Sequence, residues 1–176
     1  MLRLRNLSGD YIERSYSAAN YSSGDFLEFM VRLEPHGQMS ALIRGLSSKS
    51  LIDVKGPFGK FGRLSLKEHP KKIILISGGV GISPFRSFIQ ESVSLAEDFP
   101  IDLFYGFRTG KDFLFQDEWK QYAGRLMVIP SVSEEDKTWT GERGFISEIL
   151  PRYLEPNPES QVFICGPPPM VKATRE

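Results

Sequence analysis

The run Ser77-Gly-Gly-Val-Gly-Ile-Ser-Pro84 follows an unbroken apolar stretch, Ile73-Ile-Leu-Ile76, and precedes residues with helical spacing. A glycine loop between a strand's carboxyl end and a helix start stands where open parallel sheets bind ligands. Its glycines would let backbone N–H groups approach an anion, Ser83 is placed to cap the helix, and Pro84 suits the first helical turn. Pro84 occupies the third glycine's place, so Gly79-Val-Gly-Ile-Ser-Pro leaves the G-x-G-x-x-G fingerprint incomplete, and alone the loop fits either an anion cradle or a tight structural turn. A second stiff loop, Cys165-Gly-Pro-Pro-Pro-Met170, follows the last apolar run and falls at the same sheet edge. Cys165 reads either as a small buried hydrophobe or as a thiol facing a crevice between the loops.

Other chemistries find little support. A single cysteine excludes a disulfide framework, a Cys-rich zinc site and an iron–sulfur cluster held wholly by this chain. His36 and His69 lie in polar, turn-like segments, no metal site is expected, and no serine has a His and Asp partner pattern for hydrolysis. Lys+Arg 22 balances Asp+Glu 22, which leaves no field to recruit nucleic acid. At 40% hydrophobic and 25% charged residues the profile is that of a globular protein. No apolar run approaches the roughly 18–20 residues that span a bilayer, and no signal-peptide core is seen, so no membrane insertion and a reducing cytoplasm are expected.

Two textures divide the chain. Up to residue 66, turn signals at Gly9-Asp10, Gly24-Asp25, Pro35-His36-Gly37 and Gly56-Pro57 punctuate short apolar runs, and residues 26–33 read as a strand. From Lys71 the pattern is strand, loop, helix, repeated: strands at 73–76, 101–105, 126–129 and 161–165, helices at 84–97, 112–122 and near 146–153. Four parallel strands with helical crossovers imply a doubly wound sheet. The expectation is therefore a mixed β and α/β chain, residues 1–68 forming a partial antiparallel β-barrel domain and residues 69–176 an α/β domain, divided in the polar connector 67–71.

Four segments in fixed order, Arg14-Ser-Tyr-Ser17, Gly37-Gln-Met-Ser40 with Gly56-Pro-Phe-Gly59, the loop at 78–84 and the loop at 165–170, resemble the ferredoxin reductase-like flavoproteins. Tyr105-Gly-Phe-Arg108 with Asp112, and Trp139-Thr-Gly-Glu-Arg-Gly-Phe145, extend the resemblance. It implies a flavin-binding β-barrel joined to a nicotinamide-binding α/β domain, FAD and NAD(P)H as cofactors, and direct hydride transfer between the two rings followed by electron delivery to a redox protein or attached redox domain. By the same resemblance Arg14, with Ser15 beside it, would hold the FAD pyrophosphate, Tyr16 would stack on the isoalloxazine, and Ser17 would hydrogen-bond flavin N5. Gly37, Gln38, Met39 and Ser40 would meet the pyrophosphate again, and Gly56 and Pro57 would floor the junction. Gly78, Gly79, Val80, Gly81, Ser83 and Pro84 would form the nicotinamide dinucleotide loop. Cys165 would stand beside nicotinamide C4 without acting as a covalent nucleophile, followed by Gly166, Pro167, Pro168 and Met170. Ser17 and Cys165 are thus the expected catalytic pair.

Cofactor choice rests on the segment after the third strand. NADPH-preferring relatives often carry Ser-Arg there, whereas this chain reads Ser131-Val-Ser133-Glu134-Glu135-Asp136, so Glu134 favours NADH, with Arg108 as the opposing cation. Against the family pattern the barrel lacks its first strands and the last helix and final strand are missing, which leaves room for a partner chain that completes the barrel. The alternative reading is a dinucleotide-binding or electron-transfer subunit without catalysis of its own.

Overall fold

The computed structural model describes residues 1–6, 8–21, 25–67, 70–155 and 157–175. His69 and Glu68 of the connector, and Gly24 of one expected turn, lie outside the described residues.

Strand β1 (Leu2–Arg5) alternates buried Leu2 and Leu4 with Arg3 and Arg5, whose guanidinium groups lie over the Tyr11 ring. It pairs antiparallel with β2 (Tyr11–Arg14); the helix α1 (Gln38–Arg44) follows, and β3 (Asp53–Val54) closes a three-stranded sheet in the order β2-β1-β3. This is the partial flavin-type barrel expected.

One element differs. Residues 26–33 form no strand, only a single antiparallel bridge between Ala18 and Phe29. Among the described residues no named strand pairs along this main chain. Instead the buried Asn20 side chain brackets it, accepting from the Glu28 N–H at 2.7 Å and donating to the Phe26 carbonyl at 3.3 Å. An apolar groove of about 640 Å³ runs beside it, lined by Leu2, Leu4, Phe29, Val31 and Ile43 among others.

The second half is a parallel sheet. Its elements are β4 (Lys72–Gly78), α2 (Ile82–Ser94), β5 (Ile101–Phe107), α3 (Gln116–Gln121), β6 (Leu126–Val132), β7 (Glu142–Arg143), α4 (Ile146–Ile149), β8 (Ser160–Cys165) and α5 (Pro168–Arg175). The order is β7-β6-β5-β4-β8, with every pairing parallel. Two-residue periodicity explains the unbroken apolar run of β4: Ile73 and Leu75 enter one core with Phe85, Phe88 and Ile89 of α2, whereas Ile74 and Ile76 enter another with Ile146 and Ile149 of α4. The sheet is covered on both faces, as a doubly wound fold requires.

The structure adds the short fifth strand β7 and corrects the expectation that the last helix is absent. Residues 168–175 are helical, and the helix opens on Pro168 because proline's missing N–H has no intrahelical partner in the first turn. Among the described residues, no helix is long and apolar enough to cross a membrane.

Candidate functional site

The carboxyl ends of β4, β5 and β8 open on a cleft of about 1080 Å³ whose opposite wall is residues 15–17, just past β2. Tyr16 and Ser17 therefore share one crevice with Cys165. Ser15, Gly78, Gly79, Val80, Gly81, Ser83, Pro84, Arg108, Gly166, Pro167 and Met170 also line it.

Register brings the two loops together. Ser77 at the end of β4 pairs with Cys165 at the end of β8, so both loops leave the sheet at the same level. The glycines between them let backbone meet backbone. An added Cβ at Gly81 would overlap the Cys165 carbonyl and lie 2.9 Å from Gly166 Cα, and one at Gly78 would lie 2.5 Å from Met170 Sδ. Gly79 differs: its φ is +53° and nothing lies within 4 Å of where a Cβ would project. Of the three, only Gly79 leaves its space open for a ligand; Gly78 and Gly81 interlock the loops.

Helix α2 begins at this wall and turns its positive end toward it. Ser83 is not the cap expected of it. Gly81 holds the N-cap position, and Ser83 Oγ donates to the Val80 carbonyl at 2.8 Å, bracing the loop from inside the helix.

Burial sets the protonation of two cleft groups. It pushes the Cys165 thiol above its ordinary pKa, so the sulfur is a neutral packing group at physiological pH. Burial likewise raises the Tyr16 hydroxyl, against the pull of the nearby Arg14 guanidinium.

Some expected residues stand apart from the cleft lining: Arg14, Gly37, Gln38, Met39, Ser40, Glu134 and Pro168. Arg14 is exposed and donates to the Glu13 carbonyl at 2.7 Å. Ser40 and Met39 are buried, and Ser40 Oγ accepts the Glu34 N–H at 2.9 Å, so this hydroxyl braces the turn before α1. Gly56 and Pro57 are exposed and stand outside the cleft lining. Phe61 packs the first half against the second, its ring centroid 5.4, 5.7 and 5.1 Å from those of Phe85, Phe88 and Phe163.

The acidic run after β6 is partly internal. Glu134 is exposed, and its N–H donates to the Arg108 carbonyl at 2.9 Å. Asp136 accepts from the Thr138 hydroxyl and N–H and from the Gly110 N–H, and these bonds hold its carboxyl at about 2.

Met30, Arg32 and Glu34 also line the cleft and were not among the expected site residues. Their spacing of two along an extended segment is the signal that places all three on one side. Lys111 joins Arg32 and Arg108 as a third cation there, and the exposed Phe145 adds an aromatic wall.

Comparison with known proteins finds two family matches along the chain. An oxidoreductase FAD-binding domain family covers residues 1–62, and an oxidoreductase NAD-binding domain family covers residues 75–176. The chain is 34% identical over 176 residues to NADH-cytochrome b5 reductase 2 of Scheffersomyces stipitis, covering 94% of this chain and 57% of that protein. It is 34% identical over 166 residues to the xylene/toluene monooxygenase electron transfer component XylA of Pseudomonas putida, covering 90% and 46%. Its fold superposes with a TM-score of 0.82 and 25% identity on a ferredoxin NADP+ reductase from Neisseria gonorrhoeae with bound FAD and NADP, covering 99% and 74%. The chain thus spans about half the length of these curated relatives. With a flavin-type β unit, a nicotinamide-type α/β unit and their loops meeting at one cleft, it belongs to the ferredoxin reductase-like family of FAD- and NAD(P)-binding oxidoreductases.

Proposed function

We propose that this chain is the flavin- and nicotinamide-binding portion of an NAD(P)H-dependent reductase that delivers electrons to a redox protein or attached redox domain. The observation that carries the reading is the single cleft shared by Tyr16 and Ser17 on one side and the 78–84 and 165–170 loops on the other. The division between the two units is placed at 68/69. FAD, when bound, would accept a hydride equivalent from the nicotinamide and release electrons singly.

The residues present fit both groups. Gly79 leaves open space where any side chain would intrude, and the positive end of α2 faces that space. Arg14 offers a planar fork suited to a pyrophosphate. Tyr16 would present a flat face to the flavin, and the Ser17 hydroxyl would supply a donor to its ring nitrogen. Cys165, neutral through burial, would pack against the nicotinamide and exclude water, without attacking it.

NADH is the proposed donor. Ser133 and Glu134 supply no cation after β6 to meet a 2′-phosphate, although Arg108 and Lys111 line the cleft. Initial rates with both nucleotides decide this, and a clear preference for NADPH overturns it. A cytoplasmic setting is proposed on the single free thiol.

The test is a visible spectrum of the purified chain, with absorbance near about 450 nm for bound flavin, followed by anaerobic addition of NADH. Expected are about one FAD per chain and bleaching by NADH. A colourless chain that FAD cannot reconstitute would instead favour a dinucleotide-binding module, a reading supported by the placement of both apolar clusters mainly in the second half.

A further inference from the structure

We infer that Arg86 is a positioning residue that fixes the width of the cleft by clamping the Tyr16–Ser17 wall to helix α2; its kinetic consequence rests on the function proposed above. Arg86 lies one turn into α2, with a side chain only 11% exposed. Its Nη1 donates to the Ala19 carbonyl at 2.9 Å and to Glu28 Oε2 at 2.7 Å, its Nε donates to Glu118 Oε2 at 2.8 Å, and its guanidinium lies 4.1 Å from the Phe115 ring centroid. One side chain thus ties two segments of the barrel half to α3 of the nucleotide half.

The helix face continues the clamp. Ser87 Oγ donates to the Asn20 carbonyl at 3.1 Å, and Gln90 Oε1 accepts the Tyr21 N–H at 2.8 Å. Three successive residues, Ala19, Asn20 and Tyr21, are held by three positions of one helix. Ala19 is two residues beyond Ser17, and its N–H donates to the Glu28 carbonyl at 2.8 Å, so a pull on Glu28 reaches the wall through the Ala18–Phe29 bridge.

At its N-terminus, one turn before Arg86, α2 is keyed to the opposite wall, where Gly81 packs on the Cys165 carbonyl. The spacing of the two walls is therefore set through one rigid helix. Arginine suits this work: its fork serves acceptors on three segments at once, which the single ammonium of lysine cannot do in the same geometry. Because the guanidinium is largely buried, removing it leaves Glu118 without its cationic partner in a shielded site, with Gln90 Nε2 and the Tyr122 hydroxyl still donating to its other oxygen.

The test compares wild type with Arg86→Gln, Arg86→Lys and the milder Glu28→Gln. Amide hydrogen exchange reads the clamp directly, and the rate at which NADH bleaches bound flavin reads its consequence. In Arg86→Gln, exchange at Tyr21 and Glu28 should rise about tenfold while the amides of β4 stay protected. Flavin content should hold, and bleaching should slow by about 100-fold, the expected cost of roughly 1 Å of misplacement, with Arg86→Lys falling between. Unchanged exchange at Tyr21 and Glu28 overturns the inference, as does faster exchange with bleaching at the wild-type rate. If Arg86→Gln loses β4 protection and so fails to fold, Glu28→Gln carries the same comparison with a smaller effect. A wild-type chain that binds no flavin sinks the proposed function, whereas the exchange measurement still decides the clamp.

Discussion

At the scale of single residues, protonation decides what Cys165 can do. The thiolate is the nucleophilic form, and burial places the thiol above its ordinary value of 9.0. The folded protein therefore holds it protonated through neutral pH, and its alkylation rate should still be climbing beyond pH 9.0, where an exposed thiol would level off. Adduct mass reports this directly, since the chain has one cysteine. Cys165→Ala should slow flavin bleaching by NADH without abolishing it; complete loss would argue for a covalent role instead. Asp136 shows the opposite shift. Its carboxyl is held at about 2 against an ordinary 3.8, so its contribution to folding is present above 3.8 and is lost as pH falls through about 2. Asp136→Asn should lower the melting temperature at neutral pH, and the gap to wild type should close between those two values. A gap independent of pH would show that the Thr138 and Gly110 bonds do not depend on charge.

At the scale of elements, the glycine loop separates into two kinds of glycine, and mutation should tell them apart. Gly79→Ala meets no neighbour but must hold a φ of +53°, which costs about 1 kcal/mol. Gly81→Ala must push two backbones apart, which costs up to about 3 kcal/mol. Urea midpoints measure both, and equal losses would refute the distinction. On the proposed function, Gly79→Ala should also raise the KM for NADH while leaving the loops locked together. The parallel sheet was legible in the sequence because strands covered on both faces carry unbroken apolar runs, as at 73–76. The loops were legible as a pair because each follows such a run. Residues 26–33 misled, since their β-rich composition implies a partner strand, whereas the side chain of Asn20, six to eight residues back, satisfies part of the backbone instead. The start of α5 was hidden by three consecutive prolines. Arg86 was not legible at all: in a helix it reads as a solvated charge, and only tertiary packing brings Ala19, Glu28 and Glu118 around it.

At the scale of the whole molecule, stability is unevenly shared. Both apolar clusters are built on the parallel sheet, whereas the buried apolar side chains described before residue 66 are Leu2, Leu4, Ala19 and Met39. So small a core cannot hold the barrel half alone, which must lean on the other half through Phe61 and the α2 face. Opening should therefore be graded, with the amides of β1 exchanging through a smaller free energy than those of β4. Phe61 is 40% exposed, so Phe61→Ala forfeits less than a core phenylalanine would, about 1–2 kcal/mol from its ring contacts and partial burial. That loss should fall on β1 and β2 and spare β4 and β5, widening the difference between the halves in native-state exchange. Equal loss in both would mean that they unfold as one body. Because Tyr16 and Ser17 ride on the weaker half and Cys165 on the stronger, a selective loss should also reach the cleft: flavin should dissociate at denaturant concentrations that leave the parallel sheet intact.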